Sequence, residues 1–566
     1  MKKKWVSYNK DYNILPELVK EFGISELVAR VLVNRDIDTL EKASYFISYG
    51  IEKLRDPFEM KDMSKAVDRI IEAIELNQKI CIFGDYDVDG VTSTVIAVKI
   101  LRSMDADVTY YIPNRVDEGY GLNIEAIENL AEEGIELIIT VDCGIRSLEV
   151  VNRAKELGID MIITDHHECG EELPDAYCVI NPHRADCSYP FKELAGVGVC
   201  FKLVDALATE LGCRDTALEM LDIVAVGTIA DIVYLVDENR IIVKHGLEKL
   251  QNTENIGLRA LLDICGLKEQ TITAYNVAFM IAPRINAAGR IANASLCVEL
   301  LLTDDYKKAY EIAKQLDNDN KERQSIESEI LTKAITKIER DIDISSTKVL
   351  VLDDKDWHVG VIGIVASKLV ERYNLPAVLI SRDNGIGKGS ARSVSNFNIY
   401  EALDRCSDLF IKFGGHELAA GITLSTENID AFRQKVNEVA NEILKGEPLI
   451  PELKVDYRLT PSDYKLSTVK QLEMLEPYGA GNPAPAFVYR DLKVISSRTV
   501  GNDSKHLLLT LNDGVNEIKA IGFNLGTYNN VLSFGKKVDI ICSMECNLWN
   551  DIEQLQLKIK DIKITI

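Results

Sequence analysis

The chain of 566 residues reads as an α/β protein: two α/β domains in tandem, the first built on a parallel sheet, joined by a long helix and followed by a β-barrel. Three observations predict this. Between 79 and 182 short β-branched runs alternate with helical stretches, and from about 305 to 340 a charged segment without Gly or Pro keeps a thin apolar stripe. Beyond 450, short alternating strands are separated by turn residues.

Taken in order, residues 1–75 are read as an N-terminal helical segment. The first α/β domain spans 76–304. Its strands are "KICIF", "VTYYI", "LIITV", "MIIT" and "YCVI", with helices around 90–104, 122–133 and 146–157. Continuous apolar runs of this kind belong to parallel strands covered by helices on both faces. Residues 197–300 lose the strand signal and read as packed helices. The connecting helix occupies 305–344, and a smaller, Gly-rich α/β domain succeeds it at 345–447, with strands near 348–352 and 376–381. "LKGEPLIPELKVDY" carries two prolines and a Gly and reads as a linker. Residues 452–566 have the pattern of a small barrel such as an OB-fold.

Composition narrows the class. Hydrophobic residues make up 46% and charged residues 27%, as in a globular soluble protein. The start, "MKKKWVSYNKDYN", lacks the apolar core of a secretory signal, and no run approaches the ~18 apolar residues of a spanning helix, so a cytoplasmic protein without membrane attachment is expected. Twelve cysteines without a CxxC pair suit reduced, mostly buried thiols. The net charge of −24 argues against general attraction to nucleic acid, yet residues 451–566 balance 14 Lys and Arg against 14 Asp and Glu. The acidity lies upstream, where a metal-binding centre would account for part of it.

Three of the predicted strands end in candidate ligands: "CIFGDYDVDG" with Asp85, Asp87 and Asp89, "IITVDCG" with Asp142, and "IITDHHE" with Asp165, His166 and His167. Ligands of parallel α/β sheets bind beyond the carboxyl ends of the strands, so these converge on one place. Crowded carboxylates must pair or bind a cation; oxygen ligands favour magnesium or manganese, and imidazoles pull toward manganese. Two such ions are typical of displacement at phosphorus, and an Asp between them would bridge both. Asp231, in the apolar run "LDIVAVGTIADIVYLVDENR", adds a fourth acidic position, flanked by the small residues Gly227 and Ala230. "GVGVCF" lacks the last glycine of a dinucleotide fingerprint, and "GIGKGS" has Gly where a P-loop needs Ser or Thr after Lys, so neither is a nucleotide motif.

The second domain has its own constellation. "GKGSARS", with Lys388, Ser390 and Arg392, and "FGGHELAAG", which places His416 beside paired glycines before a helix, suit a phosphate backbone. "WHVGVIGIVASKL" leads into a helix with His358 at its entrance, and "PNRVDEGYGLN" offers Arg115 and Tyr120 in a loop at the sheet edge of the carboxylates.

In this order, "GDYDVDG", "TVDCG", "TDHHE" and "GTIADIV" resemble the four motifs of the DHH phosphoesterase superfamily, and "GSARS" with "FGGHELAAG" resembles its companion DHHA1 domain. "PNRVDEGYGL", "PRINAAGR", "LEPYGAGNPAPAF" and "SKHLLLTL" narrow the resemblance to the RecJ family of single-strand-specific exonucleases, and it covers nearly the whole chain. The resemblance implies 5′-to-3′ hydrolysis of single-stranded DNA in recombination and repair, with two Mn²⁺ or Mg²⁺ ions. It also implies metal ligation by Asp87, Asp89, Asp142, His166 and Asp231, with Asp142 bridging. Asp85 becomes a further ligand or a support, and His167 and Asp165 become catalytic residues. By the same resemblance Arg115, Ser390 and Arg392 hold the 5′ phosphate, and Tyr120, Arg284 and His416 line the strand's path through a cleft between the two α/β domains. The barrel is then an OB-fold for the trailing strand, with single-strand DNA-binding protein and a helicase as expected partners. Its near charge balance, and aromatics such as Tyr478, Phe487, Phe523 and Trp549 that serve equally well as core, imply modest intrinsic affinity. The rival readings are a DHH phosphodiesterase for short oligonucleotides or cyclic dinucleotides, a pyrophosphatase, and a catalytically silent nucleic-acid scaffold. The additional barrel favours a longer polymer, and the complete ligand set disfavours a silent scaffold.

Overall fold

A sheet of five parallel strands carries the first domain, in the order Val108–Tyr111, Ile80–Gly84, Leu137–Val141, Asp160–Thr164 and Cys178–Ile180. The computed structural model describes residues 3–48, 50–114, 118, 121–291, 293–549 and 552–565, so Arg115 and Tyr120 lie outside the described residues. The inner strands Ile80–Gly84 and Leu137–Val141 are buried at every position, because helices cover both faces. On one face Ala126, Ile127, Val151 and Ala154 pack on Cys81, Ile138 and Ile163. On the other, Val91, Val95 and Val98 pack on Ile80, Ile82 and Ile139.

The helix Val88–Ser103 is buried almost all round, since the helices Gly196–Glu210 and Leu221–Ala230 lie against its far side. The contact with Leu221–Ala230 is close: a side chain on Gly227 would meet Thr92 Oγ1 at 2.2 Å.

The long helix runs Tyr306–Asp341, started by Asp305, whose carboxylate accepts from the Lys307 and Lys308 amides. At 1.5 Å per residue it spans about 54 Å. Ala309, Ile312, Ala313 and Leu316 join the first domain's core, whereas Ile330, Ala334 and Ile338 join that of the second. The second domain has a mixed sheet in the order Phe410–His416, Ala419–Ser425, Ile386–Arg392, Ala377–Asp383, Leu350–Asp354, of which only the last two pair in parallel. The helix Val359–Tyr373 covers one face over its inner strands, and Ile399–Asp404 and Ile429–Ile443 cover the other.

The C-terminal strands Phe487–Val500, His506–Asn512, Glu517–Gly522, Ile552–Thr565 and Lys537–Trp549 pair in that order, and the last pairs back on the first. They form a closed five-stranded barrel, filled by Leu492, Val494, Leu507, Leu509, Leu511, Val538 and Ile540.

Several local expectations change. The predicted linker carries a strand, Glu452–Val455, which pairs in parallel with Lys4–Ser7. The helices Leu15–Phe22, Glu26–Asn34 and Leu40–Ile47 share one apolar core with the barrel, so the two ends of the chain fold together. His416 does not precede a helix; it ends a strand in the hairpin Phe410–Ser425, where paired glycines serve a sheet edge. Asp231 does not interrupt its helix but stands just after the last helical residue as the C-cap of Leu221–Ala230. All twelve cysteines are free thiols. No helix among the described residues is long and apolar enough to cross a membrane.

Candidate metal centre and strand-binding face

Parallel strands end on one side of their sheet, and here that brings three acidic motifs together. Asp85 comes directly after Gly84, Asp142 after Val141, and Asp165 with His166 after Thr164. Asp87 is the N-cap of the helix Val88–Ser103; its Oδ1 accepts from the Asp89 and Gly90 amides at 2.9 and 3.1 Å. The helix thus begins two residues before Gly90, which instead permits a close approach: a Cβ there would lie 2.5 Å from the Asp85 carbonyl oxygen.

Asp89, in the first turn, points across to a second helix N-terminus. Its two oxygens accept from Gly196 N at 2.7 Å and Val197 N at 2.6 Å. The positive end of a helix dipole and two otherwise unsatisfied amides make that a favourable place for a carboxylate. Asp142 sits at φ 61°, a left-handed conformation that Asp tolerates in turns, and its amide donates to Thr164 O at 3.1 Å.

These groups converge on one imidazole nitrogen. His166 Nε2 lies 3.3 Å from Asp142 Oδ1, 3.6 Å from Asp231 Oδ2 and 4.0 Å from Asp89 Oδ2. Neighbouring carboxylates thus face the ring nitrogen from three separate elements. Three overlapping ligand sets result, each with its ligand atoms within 4.8 Å of one another: Asp85, Asp87 and Asp142; Asp89, His166 and Asp231; and Asp142, His166 and His167. Asp142 and His166 each belong to two sets.

The electrostatics favour a cation. Asp85, Asp89 and Asp142 are each at most 3% exposed, and Asp142 Oδ1 is buried without a hydrogen-bond partner. Burial, then the charge of Asp87, pushes Asp89 up to about 7. Burial and then Asp89 and Asp87 raise Asp231 to about 9, and Asp142 is held well above the carboxylate range by burial and by Asp89. Burial lowers His166 to about 4, so at neutral pH its ring is uncharged and can ligate. An oxygen-rich set with one or two imidazoles and a bare buried carboxylate oxygen fits Mn²⁺ or Mg²⁺.

Asp165 has a different task from its neighbours. Its Oδ2 accepts from Ile145 N, while Oδ1 takes the His166 and His167 amides and lies 2.7 Å from His167 Nδ1. Those bonds outweigh its burial and hold it below the usual carboxylate range. Asp165 therefore orients His167 rather than facing the ligand cluster, and Asn181 Nδ2 steadies the same turn through His167 O. Burial alone would lower His167, but Asp165 prevails and raises it.

Strand register builds a second feature. Lys412, Gly414 and His416 pair laterally with Thr423, Gly421 and Ala419, which in turn pair with Lys388, Ser390 and Arg392. Lateral partners share a face, and the alternate residues Ile422, Leu424 and Ala391 are buried on the other. The outer half of this sheet thus presents four cationic or imidazole side chains around a floor of Gly414 and Gly421, where a Cβ would meet nothing within 4 Å. Arg392 Nη1 donates to Ser390 Oγ at 3.0 Å, which joins the two predicted phosphate contacts. Gly363, in the helix capped by His358, lies directly beside both.

The two features meet through the helix Ala282–Ile291. A side chain on Gly289 would press on Tyr86 O at 2.5 Å, in the acidic loop, and, one residue on, Arg290 Nη1 donates to Gly360 O of the second domain at 3.1 Å. Arg284, on the same helix, is engaged elsewhere: its guanidinium binds Asp317 on the long helix at 2.8 Å. On the barrel, Phe487 is core, Tyr478 is half-buried and donates to Leu472 O, and Phe523 is 47% exposed beside Lys558 and His506.

Sequence reasoning missed Gly196 and Val197. "GVGVCF" is no nucleotide fingerprint, yet it opens the helix that receives Asp89, and a Cβ on Gly196 would lie 2.4 Å from Asp142 Oδ1. The glycine itself is the signal.

Comparison with known proteins identifies the family. The chain matches the DHH family, N-terminal domain, over residues 79–228, the DHHA1 domain over 346–442 and the RecJ OB domain over 455–561. It is 41% identical over 566 residues to the single-stranded-DNA-specific exonuclease RecJ of Bacillus subtilis, covering 100% of this chain and 71% of that protein. It is 34% identical to the Escherichia coli protein of the same name, covering 89% of this chain and 90% of that protein. The crystal structure of RecJ in complex with Mn²⁺ from Thermus thermophilus superposes with a TM-score of 0.85 at 30% identity, over 99% of this chain and 79% of that chain. The Mg²⁺ complex superposes with a TM-score of 0.79 at 29% identity, over 99% and 78%. With the ordered motifs, the three domains and near-complete coverage in agreement, the chain belongs to the RecJ family.

Proposed function

We propose that this protein is a metal-dependent exonuclease that degrades single-stranded DNA from its 5′ end to mononucleotides, in the cytoplasm, during repair and recombination. The observation that carries the reading is the buried cage of Asp85, Asp87, Asp89, Asp142, Asp231 and His166, with an oxygen of Asp142 bare at its centre. In this reading Asp87, Asp89, Asp142, His166 and Asp231 hold two Mn²⁺ or Mg²⁺ ions, Asp142 is shared between them, and Asp85 supports the shared position. The ions supply an activated water and absorb the charge that develops on the phosphate.

The protein's own groups do the rest. His167, held through Nδ1 by Asp165 and kept protonatable by it, gives a proton to the departing oxygen or a hydrogen bond to the phosphate. Ser390 and Arg392 take the 5′ phosphate, joined by Arg115, while His416 and Lys412 flank the glycine floor along which the backbone lies. Tyr120 lines the entry. Arg284 lines the strand's path while paired with Asp317. The barrel's exposed Phe523, with half-buried His506 and Lys558 beside it, stacks on and attracts the trailing strand. Single-strand DNA-binding protein and a helicase would supply the substrate. In functional terms the chain divides as 1–75, 76–304, 305–344, 345–447 and 452–566.

Digestion of end-labelled single and double strands with Mn²⁺ tests this. The expected result is early release of a 5′ label, from single strands only. Endonucleolytic fragments, or first release of a 3′ label, would overturn it.

A further inference from the structure

Asp231 is the one proposed ligand that does not come from a segment directly following a strand of the parallel sheet. It caps the helix Leu221–Ala230, and the next residue, Ile232, has φ 64°. A β-branched residue in the left-handed region is strained, and persists only where its surroundings impose it. The side chain of Ile232 imposes nothing, being 75% exposed. Residues 234–236, just beyond it, are held by hydrogen bonds and packing.

Leu235 is buried and donates its amide to Ala480 O at 2.8 Å. Ala480 belongs to "LEPYGAGNP", the segment that leads into the barrel. Gly479 and Gly481 press this segment onto the loop, with no space for a side chain: a Cβ would meet Leu235 Cδ1 at 2.6 Å and Tyr234 Cβ at 3.0 Å respectively, and Gly481 is at φ 71°. The turn is braced internally by Asn482 Nδ2, which donates to Leu475 O and Pro477 O at 2.7 and 2.9 Å. It is braced from below by buried Arg240, which donates to Met474 O and Leu475 O.

We propose that the turn 474–483 is a positioning element of the metal centre: by clamping residues 234–236 it holds Ile232 in its strained conformation and so aims Asp231 into the cage. Released, Ile232 relaxes to negative φ, and the last helical turn, which carries Asp231 through the hydrogen bond its N–H donates to Gly227 O, loses its fixed end. The barrel unit then does two jobs, binding the strand and completing the ion site. The inference rests on Asp231 being a metal ligand.

The test uses the full chain, freed of metal, with Mn²⁺ binding measured by calorimetry and turnover measured on a 5′-phosphorylated dinucleotide. Asp231→Ala is the reference; if it leaves Mn²⁺ binding unchanged, the ligand assignment itself fails. Asn482→Ala and Gly481→Ala release the turn from the barrel side. Each is expected to weaken Mn²⁺ binding about tenfold and to lower dinucleotide kcat, with little change in KM. Adding Ile232→Gly should restore both, because glycine adopts φ > 0 without strain. If Gly481→Ala fails to fold, Asn482→Ala carries the comparison. Folded turn variants with wild-type Mn²⁺ affinity, or a loss that Ile232→Gly does not recover, would overturn the proposal.

Discussion

Replacing Gly196 by Ala probes the cage without touching a ligand. The added Cβ would stand 2.4 Å from Asp142 Oδ1 and 2.7 Å from its Cβ and Cγ. Atoms in contact need about 3.5 Å, so one partner must move by about 1 Å. Asp142 has little freedom, with φ at 61° and its amide tied to Thr164 O. Moving the helix instead pulls Gly196 N away from Asp89 Oδ2, now 2.7 Å distant. Either way a carboxylate of the cage is displaced. Overpacking of this kind costs about 1–3 kcal/mol in stability, and a displacement of about 1 Å at a reacting centre costs about 100-fold in rate. Gly198→Ala is the control, because the nearest atoms to its Cβ belong to the Leu194 side chain, at 3.2 Å and beyond, and not to a ligand. In Mn²⁺-dependent release of a 5′-labelled nucleotide, Gly196→Ala should lose about 100-fold in kcat and Gly198→Ala less than threefold. Equal activities for the two would refute the account of the cage.

The cage and the strand-binding residues set the further outcomes. Asp142→Asn should abolish turnover while leaving single-strand binding intact, and metal should no longer raise its Tm. Because folding raises the pKa of Asp142, the wild-type carboxyl loses stability as pH climbs above its unfolded value near ~4, so metal-free Asp142→Asn should become the more stable protein, by a margin that grows with pH and vanishes in acid. Metal must displace the protons held by Asp89 at about 7 and Asp231 at about 9, so Mn²⁺ affinity by calorimetry should rise with pH across that range, with protons released in buffers of differing ionisation enthalpy. Arg392→Ala should remove the preference for a 5′-phosphorylated end over a 5′-hydroxyl end, with competition binding as the readout, whereas Phe523→Ala should weaken long strands by about 1–3 kcal/mol and leave short ones unchanged.

Much of this molecule is legible locally. "KICIF", "LIITV" and "MIIT" became strands at nearly their predicted limits because a buried parallel strand must be apolar throughout. Once those strands were parallel, Asp85, Asp142 and His166 had to share a sheet edge, so the cage could be assembled on paper. His358 as a helix cap was equally plain. The hairpin around His416 was not, since paired glycines signal close approach without naming what approaches.

What the sequence alone determined is therefore the periodic elements and the ligand types at their ends, both consequences of residues a few positions apart. Only the tertiary structure decided that Gly196 would shelter Asp142, that the first three helices would complete the barrel's core, and that residues 474–483 would clamp the loop behind Asp231. Those contacts join residues from about fifty to several hundred positions apart. Their strength lies in shape and in backbone groups that every residue carries, so no local pattern in the chain announces them.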